Sequence, residues 1–166
     1  SFVGTATIGV DHIDTDLLRA NNIGFTSAPG CNAIAVAEYV ISSLFALSQE
    51  NASPLSGKTI GIVGVGNIGS CLAQKLKALN VNLLLCDPIK HEQGLLTEHV
   101  ELDELLAQSD IVTFHVPLIK TGRHKTLHML DKTRLTKLKS GLTLINASRG
   151  DVIDNQALLE VMQAGA

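Results

Sequence analysis

The sequence is poor in aromatic residues and carries no excess of positive charge. Trp is absent, and one Tyr with four Phe make up 3% of the chain. Few side chains are therefore available to stack on the bases of a nucleic acid. Lys and Arg number 13 against 16 Asp and Glu, which gives a net charge of -3 at pH 7. No basic stripe is present to contact a phosphate backbone, so we expect no nucleic-acid partner.

Long apolar runs and regular cysteine spacing are also missing. The longest apolar stretch, residues 33–47, is too short to cross a bilayer and contains Glu38, so we expect no membrane partner. The three cysteines, Cys31, Cys71 and Cys86, are an odd number without the spacing of metal ligands. We therefore expect no metal site and a reducing, cytoplasmic environment.

Length and composition indicate one folded unit. Hydrophobic residues make up 45% of the 166 residues and charged residues only 17%, which excludes an intrinsically disordered chain. A chain of this length can bury about 70% of its unfolded surface. Because the sequence begins without Met and ends just after a helical pattern, we expect it to be part of a larger protein.

Strand and helix patterns alternate after a break at residues 51–58. Continuous apolar strands that alternate with helices predict an α/β fold of the Rossmann type, a doubly wound parallel sheet covered on both faces. The last helix has Asp154 as its expected N-cap, with Ile153 and Leu158 as a hydrophobic staple. The predicted strands are residues 59–64, 81–86, 111–114 and 142–146, and the predicted helices are 67–79, 102–108, pieces between 125 and 139, and 155 to about 164.

The region before the break differs from this pattern. Residues 5–30 are rich in turn signals around a short helical segment at 14–20. Residues 31–49 are apolar around most of a helix circumference, which predicts a buried helix.

A glycine motif marks the first strand-to-helix turn. Gly64, Gly66 and Gly69 form a G-x-G-x-x-G pattern between a predicted strand and a predicted helix. In dinucleotide-binding folds the first glycine permits the turn, the second admits a pyrophosphate and the third lets helix and strand pack closely. An ordinary tight turn is the competing interpretation, because this motif alone is weak evidence.

Asp87 strengthens the dinucleotide interpretation. It ends the second predicted strand, 18 residues after Gly69, near the position of the carboxylate that binds the adenosine ribose. A carboxylate there repels a 2′-phosphate, so NAD is favoured over NADP, although the nearby Lys90 leaves NADP open. A methyltransferase also places an acid here, but its glycine loop is usually G-x-G-x-G and it needs no Arg for a substrate carboxylate.

The third and fourth strands end in His115 and in the segment that leads to Arg149. Parallel strands present their carboxyl ends on one edge of a sheet, so these residues are expected to meet the glycine turn there. A guanidinium can hold a carboxylate at two points, which suits a hydroxy or keto acid. A structural ion pair of Arg149 with Asp151 or Asp154 is the alternative.

The histidines point to no general acid or base. His115 could carry a proton, but beside Pro117 it is expected to shape a cofactor pocket instead. His91 and His99 lie in a polar connector and are expected to be solvated.

These motifs together resemble the D-2-hydroxyacid dehydrogenase family. The resemblance is carried by Gly64–Gly69, by Asp87, by the His-Val-Pro-Leu segment at 115–118 and by the Asn-Ala-Ser-Arg-Gly segment at 146–150. Residues 2–12 and 28–39 narrow it to a member that oxidises a phosphorylated hydroxy acid in pyridoxal phosphate biosynthesis.

The resemblance implies a role for each matching position. Arg149 would be the active-site arginine and Thr7 a substrate contact. Val116 departs from the family pattern, in which a Thr commonly bonds the cofactor, and this should cost roughly 1 kcal/mol of NAD binding. The expected NAD contacts are Gly64, Gly66, Asn67, Ile68, Gly69, Asp87, His115, Val116, Pro117, Asn146, Ala147, Ser148 and Arg149.

The resemblance also implies what lies elsewhere. Residues 1–30 would be the remnant of a flavodoxin-like substrate domain, and residues 31–166 an NAD-binding domain that is incomplete at its C-terminal end. The family's Glu–His acid/base pair and a dimerisation segment would follow residue 166, so the full-length protein is expected to be a homodimer and this segment alone inactive. Another hydroxy acid such as glycerate, phosphoglycerate or lactate, or a non-catalytic NAD sensor, remain as alternatives.

Overall fold

A four-stranded parallel sheet forms the centre of the molecule, in a computed structural model that describes residues 1–164. Its strands are β3 (Thr59–Val63), β4 (Asn82–Cys86), β5 (Ile111–Phe114) and β6 (Thr143–Asn146), in the order β4-β3-β5-β6. Each strand is parallel to its neighbours. Along the chain, β4 is added on one side of β3 and β5 on its other side, so the strand order reverses between β3 and β5. Parallel sheets of this kind bind ligands at the point of reversal.

Helices cover both faces of this sheet, which confirms the doubly wound fold. The helices are α3 (Asn67–Leu76), α4 (Pro88–Glu92), α5 (Leu102–Gln108), α6 (Lys132–Leu135) and α7 (Asn155–Gln163), with short 3-10 turns at Lys77–Leu79 and Gly150–Val152. One core layer joins the sheet to α5, α6 and α7 through residues such as Leu105 and Phe114. The other joins it to α3 and to the helix α2, Ala33–Glu50, through residues such as Leu72 and Val40.

The N-terminal residues form a second, smaller sheet. Strands β1 (Phe2–Gly4) and β2 (Gly24–Thr26) pair in parallel and are linked by helix α1, Thr15–Ala20. Strand β2 has only three residues, too few for an alternation of apolar and polar residues that would predict a strand. Whether this unit is the remnant of a flavodoxin-like domain stays a prediction.

Most predicted helices and strands are present in the structure, but their first or last residues differ from the predicted ones. The helix predicted at 67–79 ends as an α-helix at Leu76 and tightens into a 3-10 turn. Among the pieces predicted between 125 and 139, only α6 is an α-helix. Asp154 caps α7 as predicted, because its Oδ1 accepts the Ala157 N–H at 3.0 Å. Residues 165 and 166 of the predicted NAD-binding domain lie outside the described residues.

The prediction that α2 is buried around most of its circumference is wrong. Ala37, Val40 and Leu44 are buried against α3 and the sheet, whereas Tyr39 is 70% and Ile34 63% exposed. Within residues 1–164, the helix packs on one face only, and its second apolar face is open to solvent.

Candidate cofactor and substrate site

The glycine turn follows β3, and its first and last glycines are each required for a different steric reason. Gly64 has φ +90°, and a Cβ there would lie 2.6 Å from the His115 carbonyl oxygen. A Cβ on Gly69 would lie 2.0 Å from the Gly64 carbonyl oxygen, so α3 can approach the turn only because this residue is glycine. Gly66 differs, since a Cβ there would meet nothing within 4 Å. Open space above Gly66 is the arrangement a phosphate cradle requires.

Helix α3 directs its free amides into this space. Gly66 is its N-cap and provides no side-chain cap. The first N–H groups of a helix have no partner inside it, and the positive end of its dipole favours an anion. Asn67 and Ile68, the predicted pyrophosphate contacts, are the first residues of α3.

Asp87 ends β4 and connects it to the glycine turn. Its Oδ2 accepts the Val65 N–H at 2.9 Å, and its Oδ1 accepts the Lys90 N–H at 3.0 Å, which caps α4. The carboxylate thus has both oxygens fixed by backbone amides. Asp87, the predicted ribose-binding residue, is thus held at the carboxyl end of β4, beside the glycine turn.

His99 supports Asp87 from behind, which the sequence did not indicate. The prediction that His99 is solvated is wrong, because its side chain is only 4% exposed. Its Nδ1 accepts the Asp87 N–H at 3.2 Å, which places the ring proton on Nε2, where Glu101 lies 3.3 Å away. The ring also stacks on His91, with centroids 4.7 Å apart. His91 itself is exposed, as predicted.

His115 follows β5 and lines the middle of the site. Its Nε2 lies 2.9 Å from the Thr113 hydroxyl, and its buried Nδ1 has no hydrogen-bond partner within the described part of the chain. Burial lowers the pKa of His115 to about 4, so the ring is neutral at neutral pH. A ring that stays neutral is suited to shaping the site rather than to carrying a proton.

The loop after β6 brings Arg149 to the same edge. Asn146 fixes this loop, since its amide donates to the Arg149 carbonyl at 2.9 Å and its Oδ1 accepts the Ser148 N–H at 3.1 Å and hydroxyl at 2.7 Å. The carboxylate that pairs with Arg149 is Asp11, at 2.5 Å from Nε. Within residues 1–164, Arg149 therefore forms its ion pair with Asp11, and the alternative pair with Asp151 or Asp154 is wrong.

Two cavities meet along this edge. The first, about 550 Å³, is bounded by the glycine turn, Asp87 and His99, and the second, about 570 Å³, by Thr7, Arg149 and the start of α3. Gly66, His115, Val116 and Pro117 line both cavities. All predicted site residues other than Gly64, Gly69, Asp87 and Asn146 line the second cavity, and Gly64 and Asp87 line the first.

The residues present fit a dinucleotide. The two cavities share a wall, as the two halves of such a ligand require, and each lies in the size range of small-molecule sites. His115 lines both cavities, and the space above Gly66 would be filled by a methyl group. Within the described residues no three His, Cys, Asp or Glu side chains come together as metal ligands would.

The comparison with protein families decides the assignment. Residues 35–166 match the model of the D-isomer specific 2-hydroxyacid dehydrogenase, NAD binding domain. The chain belongs to this family. Its resemblance to the D-2-hydroxyacid dehydrogenases is thereby confirmed.

Curated members of the family match all or nearly all of the chain. It is 84% identical over 166 residues to erythronate-4-phosphate dehydrogenase of Pseudoalteromonas translucida, and 53% identical over 164 residues to the protein of the same name from Cronobacter sakazakii. The chain covers 44% and 43% of those proteins, so it spans less than half the length of these relatives.

Solved structures of the family share the fold. D-lactate dehydrogenase from Aquifex aeolicus, complexed with NAD and lactic acid, superposes with a TM-score of 0.82 at 29% identity. NAD-dependent formate dehydrogenase from Staphylococcus aureus, in complex with NAD, gives 0.81 at 32% identity. Each match covers 99% of this chain and 55% or 54% of the solved one. No helix within residues 1–164 is long and apolar enough to cross a bilayer.

Proposed function

We propose that this chain is the NAD-binding part of an enzyme that oxidises 4-phospho-D-erythronate to 2-oxo-3-hydroxy-4-phosphobutanoate in pyridoxal phosphate biosynthesis. The observation that carries the proposal is the 84% identity, over every residue of the chain, to an erythronate-4-phosphate dehydrogenase. Lactate and formate dehydrogenases share the fold at 29% and 32% identity, so the fold alone does not choose the substrate.

The first cavity would hold the adenosine half of NAD. Asp87 would accept hydrogen bonds from the ribose hydroxyls, and the amides of Asn67 and Ile68 would bind the pyrophosphate over Gly66. Support comes from the carboxylate's place beside the turn, 2.9 Å from the Val65 amide.

The second cavity would hold the nicotinamide and the substrate. Residues 146–149 would line the nicotinamide, with His115, Val116 and Pro117 as the wall shared by both halves. NAD, when bound, supplies the acceptor for the hydride that leaves substrate C2. Thr7 and Arg149 line the same cavity from two segments of the chain and would contact the substrate there.

Arg149 would bind the substrate carboxylate. Its guanidinium has a fixed fork of donors that can hold a carboxylate at two points and polarise the neighbouring C2 oxygen. The hydroxyl proton needs a base near neutral pH, which His115 does not provide because burial lowers its pKa to about 4. We therefore do not assign this proton transfer to His115.

Several features of the whole protein follow as part of the proposal. Residues 1–30 would belong to the substrate domain and 31–166 to the NAD-binding domain. The exposed apolar face of α2, with Ile34 and Tyr39, is compatible with a homodimer. Cys31, Cys71 and Cys86 form no disulfide within residues 1–164, which is compatible with a cytoplasmic location.

The test is NADH formation by the full-length protein, followed by absorbance, with a panel of 2-hydroxy acids. We expect the highest kcat/KM with 4-phospho-D-erythronate and much lower values with glycerate, phosphoglycerate and D-lactate. A higher value with any of those three would assign a different substrate. Tight NADH binding with negligible turnover of every acid would instead indicate a sensor.

A further inference from the structure

Asp11 and Arg149 form an ion pair between two parts of the chain that are 138 residues apart in sequence. Asp11 lies in the N-terminal unit, in the turn between β1 and α1, whereas Arg149 follows β6 of the central sheet. Neither the sequence pattern nor the relatives' names give Asp11 a role.

The guanidinium of Arg149 is fixed on three sides. Asp11 accepts from its Nε at 2.5 Å, and the Ser148 carbonyl accepts from Nη1 at 3.2 Å. On a third side its Nη2 lies over Gly9, where a Cβ would be only 1.5 Å away. A long side chain with several rotatable bonds is thus held in one orientation by the N-terminal unit.

The pair is charged throughout the neutral range. The hydrogen bond and the charge of Arg149 lower the pKa of the Asp11 carboxyl below its usual value. Nε uses one of the five N–H donors, and Nη1 shares another with Ser148, which leaves donors for a second carboxylate. Asp11 therefore aims the guanidinium without using up its binding capacity.

Thr7 belongs to the same arrangement. Its hydroxyl donates to the Gly9 carbonyl at 2.8 Å and lies 2.8 Å from the Thr5 hydroxyl. Gly9 thus packs against Arg149 and fixes Thr7, so the pair of predicted substrate contacts is set by one turn of the N-terminal unit.

We propose that Asp11 is a positioning residue, which orients Arg149 toward the carboxylate of the hydroxy acid in the second cavity. This inference rests on the proposed function for the identity of the substrate, but its geometry concerns any small carboxylate. Misplacement of a binding group by about 1 Å can cost about 100-fold in rate. Loss of Asp11 should therefore act on the carboxylate and leave the cofactor unaffected.

The experiment compares Asp11→Ala and Asp11→Asn in the full-length protein with the control Asp16→Ala. Asp16 pairs with Arg19 on α1, where both side chains are largely exposed. For each protein, kcat and KM for 4-phospho-D-erythronate, the Kd of NADH from its own fluorescence, and the Kd of oxalate in the presence of NADH are measured. Oxalate is a small dicarboxylate that tests carboxylate binding without turnover.

We expect Asp11→Ala to lower kcat/KM about 10- to 100-fold, mainly through KM, and to weaken oxalate binding at least about tenfold. Its Kd for NADH should stay within about twofold of wild type. Asp11→Asn keeps an oxygen that can accept from Nε and should recover most of the loss, and Asp16→Ala should match wild type.

An Asp11→Ala variant with unchanged oxalate affinity, or one that loses NADH binding to the same extent, would overturn the proposal. A lower KM would also overturn it, because Asp11 would then act as a competitor for Arg149. Wild-type protein that oxidises no phosphorylated hydroxy acid, yet binds oxalate in an Asp11-dependent manner, would refute the proposed substrate and support the positioning role.

Discussion

The two glycines Gly66 and Gly69 should respond to the same substitution in opposite ways. A methyl group at Gly69 would lie 2.0 Å from the Gly64 carbonyl oxygen and 3.3 Å from Ile62 Cγ2, whereas ordinary contact begins at 3.4 Å. The oxygen belongs to the buried backbone of the turn, so it cannot rotate away. Helix α3 would have to move by about 1 Å or more.

The cost follows from this overpacking. Forcing atoms into a packed core costs about 1–3 kcal/mol, and Ala in a helix regains about 0.5–1 kcal/mol relative to Gly. The clash is with backbone, so the net lies in the upper part of this range, and we expect Gly69→Ala to lower the free energy of unfolding by about 1–2.5 kcal/mol. Gly66→Ala should change it by less than about 0.5 kcal/mol, since its φ of −72° suits any residue and the new methyl meets nothing within 4 Å.

Gly66→Ala should weaken cofactor binding although it leaves the stability of the fold nearly unchanged. Its methyl would stand in the space where a pyrophosphate meets α3, so the Kd of NADH should rise at least about tenfold, which corresponds to about 1.4 kcal/mol. Urea denaturation and NADH fluorescence titration of both variants and wild type test the pair. Equal destabilisation by the two substitutions, or wild-type NADH affinity in Gly66→Ala, would refute the steric reasoning.

Three further predictions concern side chains at the strand ends. Arg149→Lys should lower kcat/KM for the hydroxy acid roughly 100-fold and raise the Kd of NADH far less, because an ammonium cannot make the two-point contact with the carboxylate; equal NADH and substrate losses would contradict this. Burial lowers the pKa of His115 from 6.5 to about 4, so below pH 6.5 the unfolded chain takes up a proton that the folded chain refuses. Stability should therefore fall between pH 6.5 and 4 by up to about 3 kcal/mol, and in urea denaturation at several pH values His115→Gln should flatten this decline. His99→Phe removes the acceptor for the Asp87 amide and should weaken NADH binding by about 1 kcal/mol in fluorescence titrations, and an unchanged Kd of NADH would contradict this.

The parts of the fold that depend on local pattern could be predicted from the sequence. Strands β3 to β6 are short apolar runs bounded by turn residues, and their order along the chain with helices between them requires a parallel sheet. The glycine turn and the acid after β4 lie within one strand-helix-strand unit, so their spacing in the sequence predicts their relative positions in the fold. The meeting of Gly66 and Arg149 in one cavity followed from the rule that parallel strands end at one edge.

The contacts that the sequence missed are those between distant segments. No spacing relates Asp11 to Arg149, and the acids nearest in sequence were the natural but incorrect partners. His99 was placed in solvent because its neighbours are polar, whereas its ring packs beneath Asp87. For α2, the pattern is apolar around most of the helix circumference, but sequence alone does not tell which part of it packs within the chain.

The hydrogen bonds of Asp87 limit how the coenzyme preference could be changed from NAD to NADP. Under the proposed function, a designer seeking acceptance of a 2′-phosphate would first replace this acid, because its negative charge opposes the added one. Here the same side chain also holds the Val65 amide and caps α4 through the Lys90 amide. Replacing it alone would release the turn on one side and the short helix on the other, so selectivity and rigidity cannot be altered independently at this position. A successful exchange would need compensating changes that restore both anchors.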